Sequence, residues 1–249
     1  MTYDIAIVGS GPIGASAAYF LTKDTTKRVV LVTEDPTDVP TATYRSAGGS
    51  IRWSFDDPAK AEMAKVTADF VRALIRQGVD LSAIEDAYLF LNRGVAAPSI
   101  NVSGAKRVDH FLGEAARRGL TLLERTSLEG VEQQPGGVLL RTAAGTVAAR
   151  TAVLAVGPNL PRFIPTMPVT FEKRELFILD LTLGADRGAL PHLVAPLADG
   201  VVYLFTKQVD GTRKLLVGQE DVVGHNDRWE PENYWDELMR RGIGDRFPF

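Results

Sequence analysis

Apolar and polar positions change texture along the chain, and each texture predicts an element. Residues 4–8, Asp4-Ile5-Ala6-Ile7-Val8, are an apolar run too short and uniform for a solvent-facing segment, and they predict a strand buried on both faces. Residues 12–22 are small or apolar and uncharged, which predicts a helix, with Pro12 in the first turn where a missing N–H does no harm. After a polar turn at 23–27, Val29-Val30-Leu31-Val32 predicts a second parallel strand. A polar loop at 35–44 follows. Asp56-Asp57-Pro58 then supplies an N-cap and first turn for a helix in which Met63, Val66, Phe70 and Leu74 recur at helical spacing before Gly78 ends it. These four are expected in the core. Residues 80–101 read as irregular, with a short strand at 88–91.

A helix over 108–118 turns Phe111, Leu112, Ala115 and Ala116 inward and stops at Gly119. Strand patterns follow at 120–123, in a hairpin of 138–142 and 146–148 across Ala143-Ala144-Gly145, and at 151–156 leading into Gly157. Beyond Pro161, Pro165 and Pro168 the order changes. Alternating runs at 175–183, 201–205 and 214–217 are separated by Asp199-Gly200 and Asp210-Gly211 and predict an antiparallel sheet, with a last helix over 232–241. The class is α/β. A first domain is expected at 1–165, with 79–101 contributing to a substrate face, and a second, antiparallel-sheet domain at 166–249.

The first apolar run leads straight into Gly9-Ser10-Gly11-Pro12-Ile13-Gly14, the spacing G-x-G-x-x-G. Alone it is a weak signal, but a strand before it and a helix after it are the context in which a dinucleotide pyrophosphate lies against backbone at a helix N-terminus. The first glycine makes the turn, the second removes the side chain facing the phosphates, and the third lets helix and strand pack closely. Glu34, just past the second strand, is placed to accept hydrogen bonds from ribose hydroxyls and to repel a 2′-phosphate. Thr33 and Asp35 are the alternatives if the strand end shifts, and a surface acid in a turn is the plain reading.

At 249 residues the chain accommodates one large or two modest domains. A net charge of -3 argues against a nucleic-acid partner. The absence of cysteine excludes disulfides, thiolate metal sites and cysteine nucleophiles. His110, His192 and His225 lack ligand spacing, so no metal is expected. No run reaches the ~20 apolar residues of a membrane span, and no leader is recognisable, so a cytoplasmic protein is expected.

This order of parts resembles the FAD-dependent D-amino-acid oxidase, glycine oxidase and sarcosine oxidase superfamily over most of the chain. Gly9 to Gly14 with Ala18 is similar to its dinucleotide fingerprint. Val108-Asp109, Leu128 with Val131, and residues 151–157 are similar to its second FAD segment. The resemblance implies a Rossmann-like FAD-binding domain with an antiparallel β-sheet substrate domain, and FAD as cofactor. The FAD contacts it implies are Gly9, Gly11, Pro12, Ile13, Gly14, Glu34, Arg45, Ser46, Ala47, Gly48, Gly49, Leu128, Ala155 and Gly157, with Leu128 against adenine.

Ser50-Ile51-Arg52-Trp53-Ser54-Phe55 is similar to the sarcosine-oxidase pattern I-I-R-H-x-Y, which places Arg52 on the arginine that binds a substrate carboxylate. A planar guanidinium suits a carboxylate through two parallel hydrogen bonds. A surface arginine paired with Asp56 or Asp57 is the plain reading. The family histidine falls on Trp53 and a second family arginine on Gly49. Lys207 and Lys214 are the nearest candidates for the lysine that promotes oxygen reduction, and Trp53, Phe55 and Tyr203 are candidate walls or core. The implied activity is oxidation of the C–N bond of a small amine or amino acid by hydride transfer to flavin. The family extends well beyond the segment similar to residues 244–249, which implies a second polypeptide completing the FAD domain. A non-catalytic nucleotide-fold scaffold and an NAD-dependent reductase are the alternatives.

Overall fold

A computed structural model describes residues 2–24, 26–34, 49–91, 94–167, 176–179, 192–197, 200–209 and 212–221. The expected loop at 35–44, helix at 232–241, residues Arg45, Ser46, Ala47 and Gly48, and His225 lie outside the described residues. The chain forms two compact units, and neither is a continuous stretch. Met1–Gly49, Ile75–Ser82 and Val102–Thr170 make the first, and Ser50–Leu74, Ala83–Asn101 and Phe171–Phe249 the second. The break near 165 is one of several crossings, and 83–101 falls wholly in the second unit.

In the first unit, β1 (Thr2–Val8), β2 (Val29–Val32), β6 (Thr121–Leu123), β7 (Leu128–Gln134), β8 (Gly137–Thr142) and β9 (Gly145–Leu154) form one sheet in the order β6-β2-β1-β9-β8-β7. The strands β6, β2, β1 and β9 run parallel, whereas β7 and β8 join antiparallel. The expected separate strands at 146–148 and 151–156 are one continuous β9. Its first half pairs with β8 and its second with β1, so no break is needed between them.

The core of this unit gathers Ala6, Val8, Val30 and Val32 with Leu128, Val138, Leu140, Val147 and Ala149 in one buried cluster. Helices α1 (Pro12–Leu21) and α3 (Gly104–Arg117) pack together in the same unit, with the Tyr19 and Phe111 rings 4.8 Å apart. Helix α3 begins four residues earlier than its apolar spacing suggests. Ser103 is its N-cap, the hydroxyl accepting from the Lys106 N–H at 3.3 Å.

The second unit holds α2 (Pro58–Arg76) and a seven-stranded sheet of β3 (Ser50–Arg52), β4 (Ile84–Phe90), β5 (Val95–Asn101), β10 (Leu176–Leu179), β11 (His192–Leu197), β12 (Gly200–Val209) and β13 (Thr212–Asp221). Its order is β10-β13-β12-β11-β4-β5-β3. The pairings are antiparallel except β4 with β11, which are parallel. The expected irregular stretch at 80–101 is therefore a full hairpin, β4 and β5, and it lies in the sheet between β11 and the edge strand β3. Its strands contain Glu85, Asp86, Ser99 and Asn101, and this polar content breaks the apolar run by which a strand is read.

Helix α2 starts as expected, with Asp57 Oδ1 accepting from Ala59 N–H at 2.9 Å and Lys60 N–H at 3.2 Å. Its core face is the expected one only in its C-terminal half, where Leu74 is buried and Phe70 half-buried. Met63 and Val66 are 71% and 59% exposed, while Ala68, Val71 and Leu74 are buried. Two apolar stripes run side by side on this helix, and the one through Ala68 and Val71 is the buried one. Among the described residues no helix is long and apolar enough to cross a membrane.

Candidate functional site

Three strand ends of the first unit define a candidate cofactor site. Gly9 N–H donates to Val32 O at 2.8 Å, and Ala155 N–H donates to Val8 O at 2.8 Å, so β2, β1 and β9 finish at one level. Buried Ser10 and Thr33 hydroxyls are hydrogen bonded at 2.9 Å, and Thr33 N–H donates to Leu123 O at 2.9 Å. Thr33 is thus spent holding the turn. Glu34 follows it, exposed, at the end of β2.

The three glycines of the turn have three different surroundings. Gly9 has φ +99°, and a Cβ there would run into the Ala155 carbonyl. A Cβ on Gly14 would collide with the Gly9 carbonyl and lie 3.4 Å from Ala155 Cβ. A Cβ on Gly11 meets nothing within 4 Å, and its φ of -62° is open to any residue. Gly11 is the N-cap of α1 and no side chain caps that helix. Pro12 stands in its first turn, which holds no acidic residue. Ile13 beside it is 71% exposed. The unsatisfied N–H groups and positive dipole end of a helix start suit an anion. These residues therefore fit the pyrophosphate of FAD, and exposed Glu34 fits its ribose.

The remaining expected FAD contacts lie as follows. Ala155 packs on the glycine turn, and Gly157 opens a short 3₁₀ turn at φ +55°. Gly49, at φ +73°, accepts from Val102 N–H at 3.1 Å. Leu128 is only 7% exposed and belongs to the sheet core, beside Val30 and Val32.

The second unit, taken by itself, offers a separate candidate site on one face of its sheet. Register alone puts Arg52 and Ser50 on the same face as Ser99 and Asn101, then Asp86, Tyr88 and Phe90, then His192 and Val194, then Tyr203, and then Gly218. Lys207 and Lys214 stand directly opposite each other on β12 and β13. Arg52 and these lysines are several strands apart in the sheet order. Yet Asn101 Nδ2 donates to Thr206 O at 2.8 Å, which draws the β12 backbone next to Lys207 toward the Ser50–Asn101 corner.

Arg52 donates to Ser54 O at 2.8 Å, and its Cζ stands 4.2 Å from the centroid of Phe55, with Phe90 and Tyr88 at 5.5 and 5.7 Å. Aromatic faces orient a guanidinium while leaving most of its five donors usable. Trp53 instead lies under Arg72 at 4.6 Å, and Arg72 pairs with Glu85 at 2.9 Å. Tyr203 is stacked with Phe205 at 6.3 Å, and its ring lies across Gly218, where a Cβ would strike it.

Sequence reasoning passed over Asp86, Tyr88 and His192. The His192 and Asp86 side chains are 1% and 3% exposed and 3.4 Å apart. Burial pushes the imidazole down from 6.5 to about 4. A lone histidine between apolar neighbours carries no spacing signal, and its partner lies more than a hundred residues earlier in the chain.

Two expectations follow. Gly11→Ala should leave the unfolding midpoint unchanged while lowering retained dinucleotide at least about tenfold, and Gly14→Ala should destabilise the fold itself; thermal unfolding and cofactor content after purification read the two apart. An unfolded chain takes up a proton at His192 near pH 6.5 and the folded one only near 4, so this residue removes stability as pH falls through that window. The unfolding free energy from urea titration should drop between pH 6.5 and 4, by up to about 1.4 kcal/mol per pH unit from this residue, and less steeply in His192→Gln.

The chain matches the FAD dependent oxidoreductase (DAO) family over residues 4–101 and 91–249. Glycine oxidase from Geobacillus kaustophilus is similar at 20% identity over 96% of this chain and 77% of that one, with a TM-score of 0.69. Glycine oxidase from Bacillus cereus is similar at 17% identity over 96% and 79%, with a TM-score of 0.73. L-proline dehydrogenase from P. horikoshii is similar at 16% identity over 98% and 78%, with a TM-score of 0.72. These likenesses carry the fold. No curated protein matches in sequence. With the family match spanning both units and the glycine turn built as described, the chain belongs to the DAO family of FAD dependent oxidoreductases.

Proposed function

We propose that this oxidoreductase acts on the C–N bond of a small amino acid or amine, with a substrate carboxylate held by Arg52. The observation that carries the reading is Gly11. Its two companion glycines are demanded by protein packing, but nothing among the described residues requires a bare backbone at Gly11, at an uncapped helix start. FAD, when bound, supplies a two-electron acceptor for the oxidation. Gly9, Gly11, Pro12, Ile13 and Gly14 hold its pyrophosphate in this reading and Glu34 its ribose. Gly49, Leu128, Ala155, Gly157 and the segment Arg45, Ser46, Ala47 and Gly48 enter through the family resemblance.

Arg52 presents donors to a carboxylate from a guanidinium already fixed by Phe55 and by the Ser54 carbonyl, so little rotamer freedom is lost on binding. Tyr88 and Phe90 give the same position an apolar wall. Lys207 and Lys214 are proposed as the cations that assist reoxidation by oxygen. The amino-acid names of the structural neighbours, glycine oxidase and L-proline dehydrogenase, support the substrate class. A cytoplasmic setting and a second polypeptide joined to this one are also part of the proposal. Mass measurement of the native particle checks the second polypeptide, with a mixed species expected.

The test is anaerobic. Purified protein should carry a flavin identifiable by mass, and its visible absorbance should bleach on addition of a small amino acid. A nicotinamide in its place, or no reduction by any amino acid or amine when dithionite still bleaches the sample, sinks the reading. Arg52→Ala should raise the KM for the amino acid about tenfold or more, since a hydrogen-bonded charge contributes roughly 1.5–3 kcal/mol, and should affect a carboxylate-free amine far less.

A further inference from the structure

Arg52 stands where the sheet gives it little support. Strand β3 has three residues and lies at the end of the sheet order, so it is paired on one side only. Arg52 is its last paired residue, opposite Ser99. The two groups that orient the guanidinium, the Ser54 carbonyl and the Phe55 ring, follow the end of the strand, and both residues are exposed. A strand end held by one neighbour and continued by exposed residues opens easily.

Trp53 lies between these two parts and has an anchor of its own. Its half-buried ring is 4.6 Å from Arg72 Cζ, on α2. Arg72 is gripped in turn. Its Nε donates to Glu85 Oε1 at 2.9 Å and a terminal nitrogen donates to Oε2 at 3.2 Å, while Asp69 lies 3.6 Å from the other terminal nitrogen. The hydrogen bond from Arg72 holds the Glu85 carboxyl below its ordinary range, and the same bond raises the guanidinium, so both stay charged. Two parallel bonds fix the plane of a guanidinium, and a fixed plane gives the indole a defined seat. Arg52 shares a sheet face with Ser99 and Asp86, whereas Glu85, next to Asp86 in β4, is on the opposite one. The grip on Trp53 therefore comes from the face away from Arg52.

We infer that Trp53, seated on the Arg72–Glu85 fork, is a positioning residue for Arg52. It fixes the chain that carries the Ser54 carbonyl and the Phe55 ring, and through them the direction in which Arg52 offers its donors. This rests on the reading of Arg52 as the carboxylate's partner given above. Trp53 then influences carboxylate binding without touching the carboxylate.

The experiment uses the flavin-loaded protein and isothermal titration with two probes, propionate and ethylamine. Trp53→Ala should weaken propionate about fivefold, the range set by ordering one long side chain on binding, and leave ethylamine unchanged. Arg72→Ala should act in the same direction by a few-fold, and it keeps the test open if Trp53→Ala does not fold. Trp53→Phe, which still offers Arg72 an aromatic face, should restore most of the loss. In an Arg52→Ala background the Trp53 change should cost nothing further, because its effect passes through the arginine. Equal loss for both probes, a loss that persists in that background, or no loss where Arg52→Ala itself weakens propionate overturns the inference.

A second readout needs no ligand. Side-chain ¹⁵Nε relaxation should show Arg52 ordered in the unaltered protein and mobile in Trp53→Ala and Arg72→Ala. An Arg52 signal equally ordered in all three overturns the inference. If Arg52→Ala leaves propionate unaffected, the carboxylate reading of Arg52 fails, and the relaxation measurement judges the positioning by Trp53 separately.

Discussion

The closeness of Gly14 to the Gly9 carbonyl and to Ala155 is the constraint on which the first unit depends. No side chain fits between these groups, so α1 leaves the end of β1 at an angle set by contact and not by a ligand. The hydrogen bonds from Gly9 to Val32 and from Ala155 to Val8 level the neighbouring strand ends. Ser10 and Thr33 then tie the turn to the end of β2. A helix start aimed in this way carries its N–H groups toward one spot, and little further ordering is required when an anion arrives.

The second unit uses a different kind of constraint. Its sheet buries polar side chains, Asp86, Ser99, Asn101, His192 and Thr206, where an all-apolar interior would pack more simply. Buried polar groups cost free energy unless partnered, and their partnerships are directional. Asn101 reaching Thr206, and Ser50 reaching His192, fix relationships between strands that contacts among aliphatic residues leave adjustable.

Much of this was legible in the residues. The apolar runs before and after Gly9 to Gly14 specify β1, α1 and β2, because a doubly buried strand tolerates nothing else. Asp57 as a cap and Gly78 as a stop bracket α2 because caps act locally. The helix's inward side was legible at Leu74 but not in its first half. Both Met63–Val66 and Ala68–Val71 obey the helical period, and the choice between them depends on what the helix meets. The hairpin of β4 and β5 was hidden by its own buried polar residues, whose partners come from distant strands. His192 was invisible for the same reason, since its place between Asp86, Ser50 and two rings exists only after the sheet has formed.

The parallel pairing of β4 with β11 bears on how the protein is made. During translation β4, β5 and β3 emerge early, but the strand that covers β4 arrives only after the whole stretch Val102–Thr170 has been synthesised. Until then the hairpin leaves the ribosome with an unpaired edge bearing Tyr88, Leu89 and Phe90, a surface that invites pairing with other nascent chains. The non-local seam that completes this sheet therefore sets a period of vulnerability in the life of each molecule, and its length is governed by the speed of synthesis.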